Sequence, residues 1–382
     1  MTGRKIFRWL SSAIDSHRQP STAVGDCRGS PKNNRGAALL LALWTIAILS
    51  VLSFGLAFDA HLQGQTSMLS RRRLKAEAIA QSGVVVAQML LQKQGKVSGN
   101  EDEQAVERDT WYEPAFTLSL GMPVLGLRYP LGEGEIILDI EPEPARRNVN
   151  RLQDEDWERI LDVGGIPMEM WEELIDNFNY WIGPSGGMPA GKAEGKEYYE
   201  ALDEPYSPRF GPLDSVPELL LVKGFTKAVL YGGVLNPEDP PEAHIHVSGI
   251  ADLLTTYGDG KVNVNAAERR VLMTLPGVDA EIAGAIIEER TQRSDGYLLT
   301  SGQSDTMNNI ETMKQSAFKS EGDFFSRIPW VDGGMLGGRI TTGSAYFRVT
   351  AVGRVGNAAR RIWAILQVTS GTSYVLRWRE EI

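Results

Sequence analysis

The sequence predicts an α+β fold: a long N-terminal helix, transmembrane in its first part, packed on an antiparallel sheet, with a large all-α domain inserted into that sheet. Three observations predict it. Residues 37–58 are an uncharged apolar run that continues into a seven-residue apolar repeat. Segments at 127–143 and 344–380 alternate apolar with polar residues, as strands with one wet face do. Between them lies a helical stretch that repeats itself.

The apolar run, AALLLALWTIAILSVLSFGLAF from Ala37 to Phe58, has twenty-two residues and no charge. As a helix it is long enough to cross a hydrocarbon core of about 30 Å. A secretory signal peptide would be shorter and end in an A-x-A-like site. Beyond Phe58, Leu62, Leu69, Ala76, Gly83 and Leu90 recur every seven residues, with Ala80 and Ala87 between them. One helix is therefore expected from Ala37 to about Leu91, stopped by Gly95 and Gly99-Asn100. The small residues on its outer stripe suit close approach to a sheet better than a coiled-coil seam, which they would leave underfilled.

Residues 101–115 are polar and read as a loop. Leu127 to Pro130 and Glu135 to Glu143 read as two strands joined by a glycine-containing hairpin. Ser344 to Val355, Arg360 to Thr369 and Ser373 to Glu380 read as an antiparallel meander. Both strand groups are expected in one domain, interrupted by an insertion.

The insertion, 145–327, carries an internal repeat. Asn148-Val149-Asn150 leads into WERILDVGGIPMEMWEELIDNF, and Asn263-Val264-Asn265 leads into RRVLMTLPGVDAEIAGAIIEER. Each is read as helix, glycine turn (Gly165-Ile166; Gly277-Val278) and second helix. Pro217 to Gly233 is a shorter echo. A residue without Cβ at the turn can take positive φ and let the two helices approach.

Charge and composition exclude several classes. The chain has 39 Lys and Arg against 49 Asp and Glu, a net charge of −10. Seven of the basic and two of the acidic residues fall in 1–36, leaving 32 and 47 in the remainder. An acidic remainder disfavours a nucleic-acid backbone as partner. Cys27 is the one cysteine, so neither an intramolecular disulfide nor a four-cysteine metal site is possible. Of the four histidines, His17 lies in the leader, His61 beside the span, and His244 and His246 share a strand face in HIHV. No cysteine or acidic cluster completes a metal site around that pair. No G-x-S-x-G elbow, P-loop or H-E-x-x-H motif occurs, so no enzyme activity is expected. The glycine turn of LPGVDAEIAGAII follows the helix-hairpin-helix pattern that grips DNA phosphates. Asp279 and Glu281 at its helix start would repel them.

Arg35-Gly36 abuts Ala37 without a spacer, as in type IV prepilins, whose peptidase cuts on the cytoplasmic side of a retained apolar helix. With RGAALLLALW at that junction come, in order, NVNRL, EYYEAL (Glu197 to Leu202), PLDSVPELLLVKGFT, GKVNVNAAERRVLMTLPG, YFRVTAV and WRE. In this ordered set the chain resembles the protein K family of type II secretion minor pseudopilins over nearly its whole length. The resemblance implies a non-enzymatic tip subunit that nucleates a periplasmic pseudopilus and helps drive folded proteins across the outer membrane. It implies minor pseudopilins of types I, J and H, the prepilin peptidase, and cargo or the secretin as partners, and no nucleic acid. It places the N-terminus in the cytoplasm, one helix in the bacterial inner membrane and the globular part in the periplasm. The expected parts are a leader (1–36), a transmembrane segment (37–58), a first pilin-like part (59–144), a sterile-alpha-motif-like insertion (145–327) and C-terminal strands (328–382).

The processing residues are then Gly36 and Ala37. Counting from Ala37, the fifth residue is Leu41, where most pilin-like subunits carry Glu. A carboxylate in lipid costs roughly 2.5–3.5 kcal/mol unless paired. A tip subunit has no predecessor whose amine could pair with it, so Leu41 fits a tip. Family members also bind calcium after the first hairpin. Here Gly183 and Ser185 replace acidic residues and Glu194 and Glu197 remain nearby, so no metal or other cofactor is expected. A type IV pilus minor pilin and a membrane-anchored helix-hairpin-helix DNA binder are the alternative readings.

Overall fold

Helix α1 (Arg35–Lys93) has 59 residues and contains the whole predicted apolar run and heptad stripe. The structure, a computed structural model, describes residues 35–97, 109–183, 193–238, 240–291 and 306–381. Residues to Thr66 form one unit, and residues from Ser67 form a second, compact one. In the first, residues 38–66 of the helix are exposed, and the stretch to Phe58 carries no charge. The heptad stripe is buried from Ala76 on, at Ala76, Ala80, Gly83, Ala87 and Leu90, whereas Leu62 and Leu69 are exposed. Gly95 lies in the turn after the helix, and Gly99-Asn100 falls outside the described residues.

A five-stranded antiparallel sheet lies under this stripe. Its strands are β1 (Val124–Leu131), β2 (Gly134–Pro142), β3 (Tyr346–Val355), β4 (Ala358–Thr369) and β5 (Thr372–Glu381), paired in that order. β2 and β3 are neighbours, with Pro142 opposite Phe347, although the chain between them is the insertion. The strands formed before and after it thus share one sheet. Ile136, Leu138 and Ile140 of β2 and Phe347, Val349 and Ala351 of β3 fill the core beneath α1.

The contact between α1 and the sheet is made backbone to backbone. A Cβ on Gly353 of β3 would overlap the Ala76 carbonyl oxygen and stand 2.5 Å from the Ala80 nitrogen. One on Gly83 would stand 2.8 Å from the Ala351 Cβ. Small residues therefore face each other on both surfaces. Lys75–Glu133 (2.6 Å) closes one margin, and Ser373 Oγ, donating to the Gln88 carbonyl (3.3 Å), ties β5 to the other.

Part of the stretch read as a loop at 101–115 is helical: α2 runs Tyr112–Ser119. Pro114 favours a first helical turn and Asp109 accepts the Trp111 N–H (3.1 Å). Residues 101–108 lie outside the described residues.

The insertion has its own core, from Val149 to Ile340, which includes Ile328, Val331 and Leu336 beyond the expected boundary at 327. Its first repeat is α3 (Asp154–Gly164), Gly165 at φ +75°, a short 3-10 turn and α4 (Trp171–Ile182). The third, shorter echo has Gly224 at φ +87° before a five-residue helix, Lys227–Tyr231. In the second repeat the first arm is one turn, Arg269–Leu272, rather than a full helix. Pro276 ends the arm early. Gly277 at φ +70° then leads into α5 (Ala280–Thr291). After all three glycines comes a buried apolar residue: Ile166, Phe225 or Val278.

The Asn-Val-Asn pair is a structural repeat as well. Asn148 accepts the N–H of Asn150 (3.0 Å), and Asn263 that of Asn265 (2.9 Å). Asn150 then holds Leu213 by its N–H (2.7 Å) and carbonyl (3.0 Å), and Asn265 holds Phe318 likewise (both 2.9 Å). The leading asparagines donate to the Gly258 and Gly121 carbonyls (2.6 and 2.7 Å). Gly121 belongs to the chain that leads into β1, so Asn263 joins the insertion to the sheet.

Two buried ion pairs complete that joint. Glu143, directly after β2, is fully buried against Arg348 of β3 (2.6 Å) and accepts from Thr255 of the insertion. Arg147, 4% exposed, binds Asp156 of the first repeat (2.8 Å) and the Thr274 carbonyl of the second (2.9 Å). Arg339 also reaches Asp156 (2.9 Å). Burial alone would raise the Asp156 carboxyl, but the Arg147 charge and hydrogen bond outweigh it and hold the group below its ordinary range.

Two outcomes follow. Gly353→Val should displace α1 and lower stability by about 3 kcal/mol or more, read as a fall in the thermal midpoint of the detergent-solubilised chain. An unchanged midpoint would mean that the helix does not rest on β3. Asp156→Asn should cost about 3–5 kcal/mol at neutral pH, because Arg147 stays buried without a counter-charge. Since the folded-state pKa of Asp156 is depressed, its contribution is present above the unfolded value and lost as pH falls through the folded one. The gap between wild type and variant in denaturant unfolding should therefore close in acid; a gap constant with pH would rule out the ion pair.

Candidate functional site

Gly36 and Ala37 lie in the first turn of α1, so the peptide bond between them sits where helical N–H groups lack intrahelical partners. Leu41, four residues past Ala37 and on the same helix face, is 67% exposed. From Ala38 an 18-residue window of α1 reaches a mean hydropathy of 2.4 with none of it buried. The Thr45 hydroxyl donates to the Ala42 carbonyl (2.8 Å) and the Ser50 hydroxyl to the Ile46 carbonyl (2.7 Å). Those two polar groups are thereby satisfied within the helix, as a hydrocarbon surrounding requires. The three residues singled out from the sequence thus share little more than one turn of a lipid-compatible helix.

Three helix starts in the hairpins are closed by side chains. At α5 the Asp279 carboxylate accepts the N–H groups of Glu281 (2.9 Å) and Ile282 (2.8 Å). These are the amides through which a helix-hairpin-helix would hold phosphate, and an anionic side chain already occupies them. The Thr226 hydroxyl accepts the Val229 N–H (3.3 Å) in the third echo, and Gln153 with Asp156 makes a capping box at α3. Nearby cations are held by carbonyls: Arg269, on the surface, donates to that of Ala280 (2.8 Å), and Arg290 to those of Val264 (2.6 Å) and Ala267 (2.8 Å). Burial pulls the Arg290 guanidinium down to about 10. It still carries its charge at neutral pH.

The EYYEAL segment is a clamp within the insertion. Tyr199 is buried among Tyr180, Trp181 and Tyr206, and its hydroxyl accepts the Lys223 N–H (3.1 Å). Burial pushes its phenol up to about 12. Tyr206 donates to the Leu221 carbonyl (2.9 Å). Both phenols thus fix the loop around Gly224.

His246 lies in a two-residue strand paired with Gly233–Val234, but His244 caps a 3-10 turn before it, so the pair does not share a strand face as expected. Their rings stand 6.4 Å apart at 72°. Among the described residues no group of three or more His, Cys, Asp or Glu could hold a metal ion. Ser185 of the calcium expectation, like Cys27, His17 and the side chain of Glu194, lies outside what the structure describes.

Sequence reasoning missed Glu143, Arg147 and Asn265 as the joint between insertion and sheet. Asn265 had a signal, the doubled Asn-Val-Asn, whose residue type suits a two-handed hold on a distant backbone. The two charged residues had none, because burial is invisible in a polar stretch.

Residues 140–231 match the family described as type II secretion system (T2SS), protein K. No curated protein matches the chain. Among solved structures, a chain of the GspK-GspI-GspJ complex from the enterotoxigenic Escherichia coli type 2 secretion system is similar at a TM-score of 0.50 and 14% identity. The match covers 84% of this chain and 99% of that one, and it concerns the fold. Its mixed helix and sheet architecture is the one described above. The matched segment starts at the end of β2 and runs through the first repeat and the third echo, ending at Tyr231. Over that segment the chain is similar to protein K of the type II secretion system.

Proposed function

We propose that the chain is the tip subunit of the pseudopilus, nucleating its assembly and helping to drive folded proteins across the outer membrane. The observation that carries this reading is the protein K segment standing between β2 and β3 of a sheet covered by the membrane-anchor helix. A large domain placed there crowns the sheet and leaves no room for a subunit above it, which suits the first position and not a repeating one. Leu41 agrees, since a tip subunit meets no preceding amine. The prepilin peptidase removes residues 1–36 at the Gly36–Ala37 bond, residues 37–58 stay in the inner membrane, and the remainder faces the periplasm. The pilin-like part comprises residues 59–144 and 328–382. The insertion, from 145 to 327 with core residues to Ile340, is of the sterile-alpha-motif-like kind, built on the two Asn-Val-Asn hairpins.

The partners are other minor pseudopilins. The similar solved chain was crystallised with GspI and GspJ, which supports types I and J, and type H follows from the family resemblance. The role is assembly rather than catalysis, and neither a cofactor nor nucleic acid takes part. Cargo or the secretin is the partner left for the insertion.

Deleting the chain should stall export of folded proteins to the medium while leaving twitching motility intact; normal export in the deletion strain would refute the reading. Gly36→Leu should block leader removal, leaving the membrane-extracted protein heavier by residues 1–36. A normally processed mass would take away the prepilin assignment.

A further inference from the structure

The sheet has two edges, and they are treated differently. β1 is blunted: Pro130 lacks an N–H, a register shift falls between Val124 and Leu127, and the Gly126 N–H is taken by Asp139 (2.6 Å). β5 has ten residues without proline or glycine, and among the described residues nothing pairs with its outer side. It also exposes Tyr374 (55%), Val375 (42%), Leu376 (46%) and Trp378 (54%). Its charges, Arg377, Arg379, Glu380 and Glu381, are confined to its second half, and Thr372 to Leu376 carry none of the charge that protects an edge strand from pairing.

Register assigns the side chains of β5 to faces. Val375 stands opposite Leu366 and Trp378 opposite Ala364, so both continue the apolar surface on which α1 rests. Arg377 and Arg379 stand opposite Ile365 and Trp363, on the other face. Between the faces the strand bulges at Leu376. Beside that bulge lies a cleft lined by Leu213, Asp214, Thr256, Tyr257, Leu376 and Arg377, where the insertion approaches the edge. Arg377 donates to the Asp214 carbonyl (3.4 Å), its one hydrogen bond among the described residues.

We propose that β5 is a docking edge for a strand donated by another minor pseudopilin, which adds to the sheet as its sixth strand. Unpaired ladder groups select an extended backbone, because only a strand satisfies N–H and carbonyl groups at regular spacing. The side chains then state its chemistry. An apolar residue continues the row of Val375 and Trp378, a second enters the cleft at Leu376, and an acidic residue meets Arg377 and Arg379. Arg377, held by a single long hydrogen bond, and Arg379 put two positive charges on one face and favour a carboxylate there over a basic or neutral strand.

This inference rests on the minor-pseudopilin reading, and its test separates the two. The full-length chain in detergent is combined with purified minor pseudopilins of its own secretion system, and amide hydrogen exchange is followed over 372–381. In the complex, exchange across β5 should slow, while the β1 edge stays unchanged. Arg377→Glu and, independently, Leu376→Asp should weaken the complex roughly tenfold, with the thermal midpoint of the free chain unaltered. A complex that forms with β5 still exchanging freely, or that both variants bind as well as wild type does, overturns the docking edge and leaves the reading standing. Protection that appears in the chain alone and grows with concentration means a second copy occupies the edge, which also overturns it. No complex with any minor pseudopilin removes both.

Discussion

The rest of the globular unit depends on one close approach, that of the α1 backbone to Gly353. Packed layers of secondary structure are ordinarily separated by side chains, about 10 Å apart for stacked sheets. Here Ala76, Ala80 and Gly83 meet Ala351 and Gly353, and the layer shrinks to methyl groups and hydrogens. That thinness fixes the helix in both translation and rotation, because a shift of one residue in either direction would bring a larger side chain onto the glycine. It also explains how a sheet assembled from strands on both sides of a long insertion keeps one register. β2 and β3 are held by their ladder from within and by the helix stripe from above, since Ile136 of β2 lies near Gly83 as well.

The insertion meets this platform through polar atoms. Asn263, Asn265, Glu143 and Arg147 are all nearly fully buried, yet each is paired or holds a backbone group. Burying such groups is costly unless their bonds are made, and the geometry that makes them is narrow. An apolar joint would tolerate sliding; a joint of this kind does not. The insertion is therefore fixed in direction relative to β2 and β3.

How much of this was legible in the sequence varies with the kind of force. The anchor, the stripe and the strands were readable because burial of apolar surface leaves a period, 3.6 or 2, that survives in the string. α1 ends at Lys93 and was expected to end at about Leu91. The hairpin glycines were readable because Gly165 and Gly277 occupy φ values that other residues avoid. The short arm at Arg269–Leu272 was not, since its apolar residues fit a longer helix and the stop comes from a proline that the pattern overlooked. α2 was hidden among polar neighbours, and its burial against Ile310 and Met313 depends on residues nearly two hundred positions away. The placement of Ala37 and Leu41 on one helix was legible, whereas Gly36, expected in the leader, also lies in its first turn.

The hairpins show how a motif can keep its shape and change its use. In a phosphate-gripping hairpin the glycine turn leaves the next helix start open, with free N–H groups and the positive end of the helix dipole directed outward. In this chain the turn is retained, because the two arms still need the close approach that Gly277 allows. The open amides are closed by Asp279, two residues later, and the same substitution satisfies the donors that water or an anion would otherwise have to satisfy. What remains is a rigid corner whose buried Val278 faces the core. Three such corners at Gly165, Gly224 and Gly277 bring distant parts of the insertion onto one core, so turn geometry and internal caps order it.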